Sequence, residues 1–169
     1  MIEKEIVRAK VLHEQYGEAL INDNGLFDLV EKYRKAILST QELMQEAGIT
    51  EACSVCAGKR DGACCYQGVE SWYDHMLLFV NLMLGVEISG FRDVQGGCLF
   101  VGSEGCTLLA RHSFCVNYLC PSLKDLLKRA QTEQFISGAG AELFLGWELE
   151  RSIRNWIHIH DKDFSHHPW

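Results

Sequence analysis

Eight cysteines are the residues of this 169-residue chain whose type and spacing could do chemistry. They form two groups, Cys53-x2-Cys56-x7-Cys64-Cys65 and, after 32 intervening residues, Cys98-x7-Cys106-x8-Cys115-x4-Cys120. The stretches before Cys53 and after Cys120 contain none. Ordinary core cysteines have no reason to cluster in this way, whereas a metal site gives one. Thiolate sulfur suits Zn²⁺ and iron–sulfur clusters about equally. A C-x2-C pair brings two sulfurs within reach of one ion, and glycines such as Gly58 and Gly62 let the backbone bend around it. Metal binding also holds the thiols in the deprotonated form that ligates. The spacing is neither the bacterial nor the plant-type ferredoxin run. It is not a paired C-x2-C zinc ribbon either, because four residues separate Cys115 from Cys120. Zn²⁺ and an iron–sulfur cluster both stay open, and so do one site or two. Cys64 and Cys65, being adjacent, could bridge two sites or supply a single ligand.

The elements that must position these thiols read mainly as helices. Ile2, Ile6, Ala9, Leu12, Tyr16 and Leu20 recur with a helical period over 2–22, and Asp23-Asn24-Gly25 stops the run. Leu26, Val30, Tyr33, Ile37, Met44 and Ala47 repeat the pattern to Gly48, giving a helical hairpin over 1–48. From Cys53 to Gly68 the period is lost, and the segment reads as irregular loop. Glu70–Leu84 is apolar nearly all round and reads as the central buried helix. Cys98–Val101 and Cys106–Leu108 read as the arms of a small hairpin. Ser122 and Asp125, just after Pro121, look like a helix start running to Ala130. A last long helix is expected over Ala141–Ile159, with Leu143, Trp147, Ile153, Trp156 and Ile157 inward and Phe144 also in the core. The expected fold is thus mainly α: four to five helices around a cysteine-rich, loop-built centre, with one small β-hairpin. A single domain spans 1–169, made of the hairpin, a cysteine-cluster region over 50–121, C-terminal helices over 122–160 and a polar tail over 161–169.

The cysteine block resembles a known family at its specific motifs. C-x2-C-x(n)-C-C followed by four more cysteines is similar to the YkgJ-type cysteine-cluster proteins, described as zinc- or iron-chelating domains. The flagellin lysine N-methylases carry a related cluster. The family's R-P-x-x-C-x-x-[FY]-x-C stretch reads here Arg111-His112-Ser113-Phe114-Cys115-Val116-Asn117-Tyr118-Leu119-Cys120. His112 replaces the usual Pro and Val116 a frequent Arg. The resemblance covers about residues 53–120. It implies that Cys53, Cys56, Cys64, Cys65, Cys98, Cys106, Cys115 and Cys120 are all metal or cluster ligands.

Other features weigh less. His112 is the leading non-cysteine ligand candidate, although a turn position explains it more simply. His75, beside Trp72 and Met76, reads as a core residue before a ligand. His158 and His160 face different sides of a helix, and His166 and His167 read as solvated. Lys59, Arg60 and Asp61 make a charged loop tip. Arg111 is placed to stabilise thiolate charge or to pair on the surface. A formal net charge of −7 argues against nucleic-acid binding. The N-terminus lacks a signal-peptide pattern, and the apolar run Met76–Leu84, broken by Asn81, falls far short of the ~20 residues of a membrane span. The cytoplasm is therefore the expected compartment, and a disulfide framework is not expected there. Common nucleotide-binding, protease and hydrolase motifs are absent. The expected function is a metal-binding protein that holds Zn²⁺ or an iron–sulfur cluster, in a structural or redox role and with a protein partner for its surface. The alternative is an enzyme, a redox enzyme or a relative of the lysine methylases, that uses the cluster.

Overall fold

The computed structural model describes residues 2–57, 64–103 and 105–161. Gly58, Lys59, Arg60, Asp61, Gly62, His166 and His167 lie outside the described residues. Helix α1 (Ile2–Ile21) buries the apolar stripe that its period marks, from Ile2 to Leu20. Asp23 then starts α2 (Asn24–Glu46), its Oδ1 accepting from the Gly25 and Leu26 amides at 3.0 and 3.1 Å. The other Asp23 oxygen accepts from Trp156 Nε1 at 3.2 Å, which ties this turn to the far end of the chain.

The segment expected to be loop begins instead as helix α3 (Ile49–Ala57), which carries Cys53 and Cys56. The pair therefore sits three residues apart on one helical face, not on a bent knuckle. Ile49, Ala52, Cys53 and Cys56 already had the helical spacing. A short 3₁₀ turn (Val69–Trp72) precedes α4 (His75–Met83), so the central helix is shorter than expected. It starts late because Asp74 caps it, accepting from the Leu77 amide at 2.8 Å, while Glu5 of α1 accepts from the His75 amide at 3.0 Å. At its other end Arg34 Nη1 donates to the Leu84 carbonyl at 2.9 Å. Met76, Leu78, Phe79 and Asn81 of α4 are fully buried, as expected of a central helix.

Strands β1 (Val101–Gly102) and β2 (Gly105–Cys106) pair antiparallel, with Val101 opposite Cys106, and form the small hairpin. Two short helices follow, α5 (Ser113–Asn117) and α6 (Pro121–Leu126). Ser122 does not cap α6: Cys120 holds the cap position and Pro121 the first helical one. The chain then extends through Leu127 and Lys128 and restarts as α7 (Arg129–His160), which absorbs Ala130 and begins twelve residues before the expected Ala141. Gln131 allows the early start, its side chain accepting from the Lys128 amide at 3.0 Å. Trp147 and Phe144 are exposed at 57% and 60%, against expectation. The inward face of α7 is Leu149, Ile153 and Ile157, and Arg151 covers the outward Trp147 ring at 5.1 Å.

Helix α2 packs chiefly on α7, and α1 on α4. The first contact is close: a Cβ on Gly146 would stand 2.9 Å from the Tyr33 ring. The buried apolar residues form two clusters. The larger joins α1, α2, α4, the hairpin and the C-terminal half of α7. The smaller joins Met44, Ile49, Leu119, Leu123, Phe135 and their neighbours. No described helix is long and apolar enough to cross a membrane.

One polar residue inside the larger cluster fixes the chain that follows the hairpin. Asn81 Nδ2 donates to the Leu77 and Ala110 carbonyls at 2.9 and 2.8 Å, and its Oδ1 accepts from the Ala110 amide at 3.0 Å. The amide thus bonds both backbone groups of a buried residue, as a neighbouring strand would. We expect Asn81→Ala, which strands those groups, to cost about 2–3 kcal/mol in urea unfolding of the metal-free chain. A loss below about 1 kcal/mol would show that water or a backbone shift replaces the clamp.

Candidate metal centre

All eight cysteines line one cavity of about 500 Å³, and all eight are free thiols. Two come from α3, two from the segment before the 3₁₀ turn, two from the hairpin region, one from α5 and one from the cap of α6. The two groups separated in sequence therefore meet in space. Tyr73, Phe100, Phe114 and Tyr118 supply aromatic wall, with Phe114 and Tyr118 stacked at 4.6 Å between ring centres. Arg111 is the one charged side chain on the wall among the described residues, and no described carboxylate or imidazole lines it. Sulfur donors with one cation suit a thiolate-held metal or cluster and do not suit Mg²⁺ or Ca²⁺, which take oxygen ligands.

Local bonds explain how irregular chain holds these positions. The Cys98 amide donates to the Cys65 carbonyl at 2.8 Å, and the Gln67 amide to the Gly96 carbonyl at 2.9 Å. These bonds lay the first cysteine segment beside the second. Gly97 sits in this contact, and a Cβ there would fall 2.8 Å from Val101 Cγ1. Glu70, buried, pairs with Arg92 Nη2 at 2.5 Å and accepts from the Gly68 amide at 2.8 Å. Arg92 in turn donates to the Gly97 carbonyl. Tyr73, also buried, donates from its hydroxyl to Cys115 Sγ at 3.8 Å and accepts from the His112 amide at 3.1 Å.

The electrostatics follow from burial. Burial, then the neighbouring Cys64, Cys120 and Cys56 sulfurs, push the Cys53 thiol up to about 11, and the Arg111 charge pulls the other way. Cys98 is pushed up to about 12, mainly by burial. Burial also raises Cys115 and Cys106. Cys106 is exposed by area yet densely surrounded, as befits a residue on a cavity wall. Cys64 and Cys65 share a proton: Cys65 donates to the Cys64 sulfur, which lowers Cys64 and raises Cys65. The same field reaches α7. Glu142 is fully buried and its pKa is raised by burial, with Arg111 acting against the rise. Thr40 lies beside it but donates to the Ala36 carbonyl at 3.1 Å, and neither Glu142 oxygen nor Arg111 Nε has a hydrogen-bond partner among the described residues.

The sulfurs surround a space; they do not converge on a point. Among the described residues, no three His, Cys, Asp or Glu side chains stand together closely enough to hold one metal ion. His112 is a cap: its Nδ1 accepts from the Phe114 amide at 3.3 Å, and its ring lies 5.5 Å from Trp72. His75 Nδ1 lies 2.8 Å from Glu5, and neither histidine lines the cavity. Sequence reasoning found all eight thiols and Arg111. It gave no role to Tyr73, Glu70 or Arg92, and it noted Asn81 only as a polar residue breaking an apolar run. No family model, no curated protein and no solved structure matches the chain.

The Glu70–Arg92 pair predicts a pH effect. Burial alone would raise the Glu70 carboxyl, but the bonds from Arg92 and the Gly68 amide bring it below its ordinary 4.5. A depressed carboxyl contributes stability above its unfolded pKa, and that contribution disappears as pH falls through the folded value. The metal-free chain should therefore lose stability below about pH 4.5. In urea melts, Glu70→Gln should be weaker at neutral pH and show a shallower acid decline. Parallel curves for the two proteins would remove Glu70 from the account.

Proposed function

We propose that the cavity holds an iron–sulfur centre on its cysteine thiolates and that the chain acts through it in electron transfer or redox sensing. One observation carries this reading: eight free thiols from both sequence groups line a single cavity without converging on a point. A lone Zn²⁺ requires four donors at about 2.3 Å from one centre. A multinuclear cluster attaches its thiolates to different irons, so the sulfurs stand apart around it. The absence of carboxylates from the described wall and the similarity of the Arg111–Cys120 block to the zinc- or iron-chelating cysteine-cluster family support a thiolate-held centre.

A bound cluster would supply one-electron chemistry. The chain's own residues would set its conditions. Arg111 offsets the negative charge of the thiolates. Tyr73 donates a hydrogen bond to the Cys115 sulfur, and bonds of this kind tune the potential of a ligated centre. Apo thiols raised by burial are protonated at neutral pH, so loading must expel protons.

The test is anaerobic purification, or reconstitution with ferrous iron and sulfide, followed by the visible spectrum and assays of iron, zinc and acid-labile sulfide. A brown protein with iron and sulfide in near-equal amounts is expected. Colourless protein containing zinc and no sulfide would overturn the cluster in favour of a structural zinc site. Metal-free protein after reconstitution would overturn both.

A further inference from the structure

We propose that the eight thiols form two four-sulfur sites side by side, Cys53, Cys56, Cys64 and Cys120 around one and Cys65, Cys98, Cys106 and Cys115 around the other, meeting at the Cys64–Cys65 peptide. The division rests on the cluster reading above. Four thiolates complete an ordinary cluster, so eight on one wall exceed what one needs.

The packing separates the sets. Cys53 and Cys120 lie against the smaller apolar cluster, where Ile49 of α3 meets Leu119 and Leu123 beside α6. Cys56 shares the α3 face of Cys53. Cys98 belongs to the larger cluster, and Cys65 and Cys115 pack on it. Backbone bonds assemble this second set. The Cys98 amide reaches the Cys65 carbonyl at 2.8 Å, and the Val101 amide reaches the Cys98 carbonyl at 3.1 Å. Val101 in turn pairs with Cys106 across the hairpin. Tyr73 holds Cys115 through its hydroxyl.

Cys64, the remaining cysteine, completes the first set, and its peptide bond to Cys65 joins the two. Two centres joined by one peptide bond are close enough for their electron spins to interact.

The test reconstitutes the full chain, Cys56→Ser, Cys106→Ser and the double variant with ferrous iron and sulfide. Cys106 is exposed and Cys56 half-buried, and serine is nearly isosteric with cysteine, so each substitution should be tolerated. Each single variant should keep half the iron and sulfide of the parent. On reduction each should give one isolated paramagnetic signal where the parent gives a spin-coupled one. The double variant should bind none. Should circular dichroism show a variant to be unfolded, Cys120→Ser or Cys115→Ser replaces it within the same set. If either single substitution removes all the iron, or removes none, the two-site division is wrong although the cluster stands. A parent that takes up no iron or sulfide defeats the cluster reading itself, and the division with it.

Discussion

The structure depends on the cost of gathering thiols around one cavity whose wall, among the described residues, carries a single charged side chain, Arg111. Thiolate charge is poorly tolerated there, which is why burial drives Cys53 and Cys98 so far above the ordinary thiol range. Burial therefore favours neutral sulfur at Cys53 and Cys98, and only a strong positive centre would turn them into ligands. Arg111 is the local counter-charge, and its influence spans the thiols on one side and Glu142 on the other. That shared cation links the cavity to the core of α7.

The helices earn their place by fixing irregular chain. Helix α4 is buried through most of its length and carries Asn81, whose amide occupies both backbone groups of Ala110. The chain leaving Ala110 carries Arg111 and Cys115 to the wall. On the opposite flank, Glu70 and Arg92 join two loops next to Cys65 and Cys98. Each device satisfies buried backbone or charge where no regular element does so. Short loops can then hold thiols in defined places without a long sheet or bundle around them.

The long amphipathic helices were legible because the apolar stripes of α1 and α2 repeat with the helical period and Asp23 marks the turn between them. The small hairpin was legible from the apolar arms Cys98–Val101 and Cys106–Leu108, although the residues that pair are Val101–Gly102 and Gly105–Cys106. Helix α3 was missed because its cysteines were assigned to a knuckle, although Ile49, Ala52, Cys53 and Cys56 share one helical face. The start of α7 was missed because Ala130 suited a continued α6, and nothing local marked the extended break at Leu127 and Lys128. Trp147 and Phe144 were misplaced since aromatic residues at helical spacing suit a core, and only packing against α2 decides which face of a long helix is covered.

The sequence by itself determined the mainly helical class, the eight candidate sulfurs and the chemistry of their donor type, because these follow from residue identity and local periodicity. Only the tertiary structure decided that sulfurs on either side of a 32-residue interval share one cavity and that the described wall lacks carboxylate and imidazole. Those outcomes turn on long-range backbone bonds and on which apolar faces meet. Neither is written in the spacing of neighbouring residues.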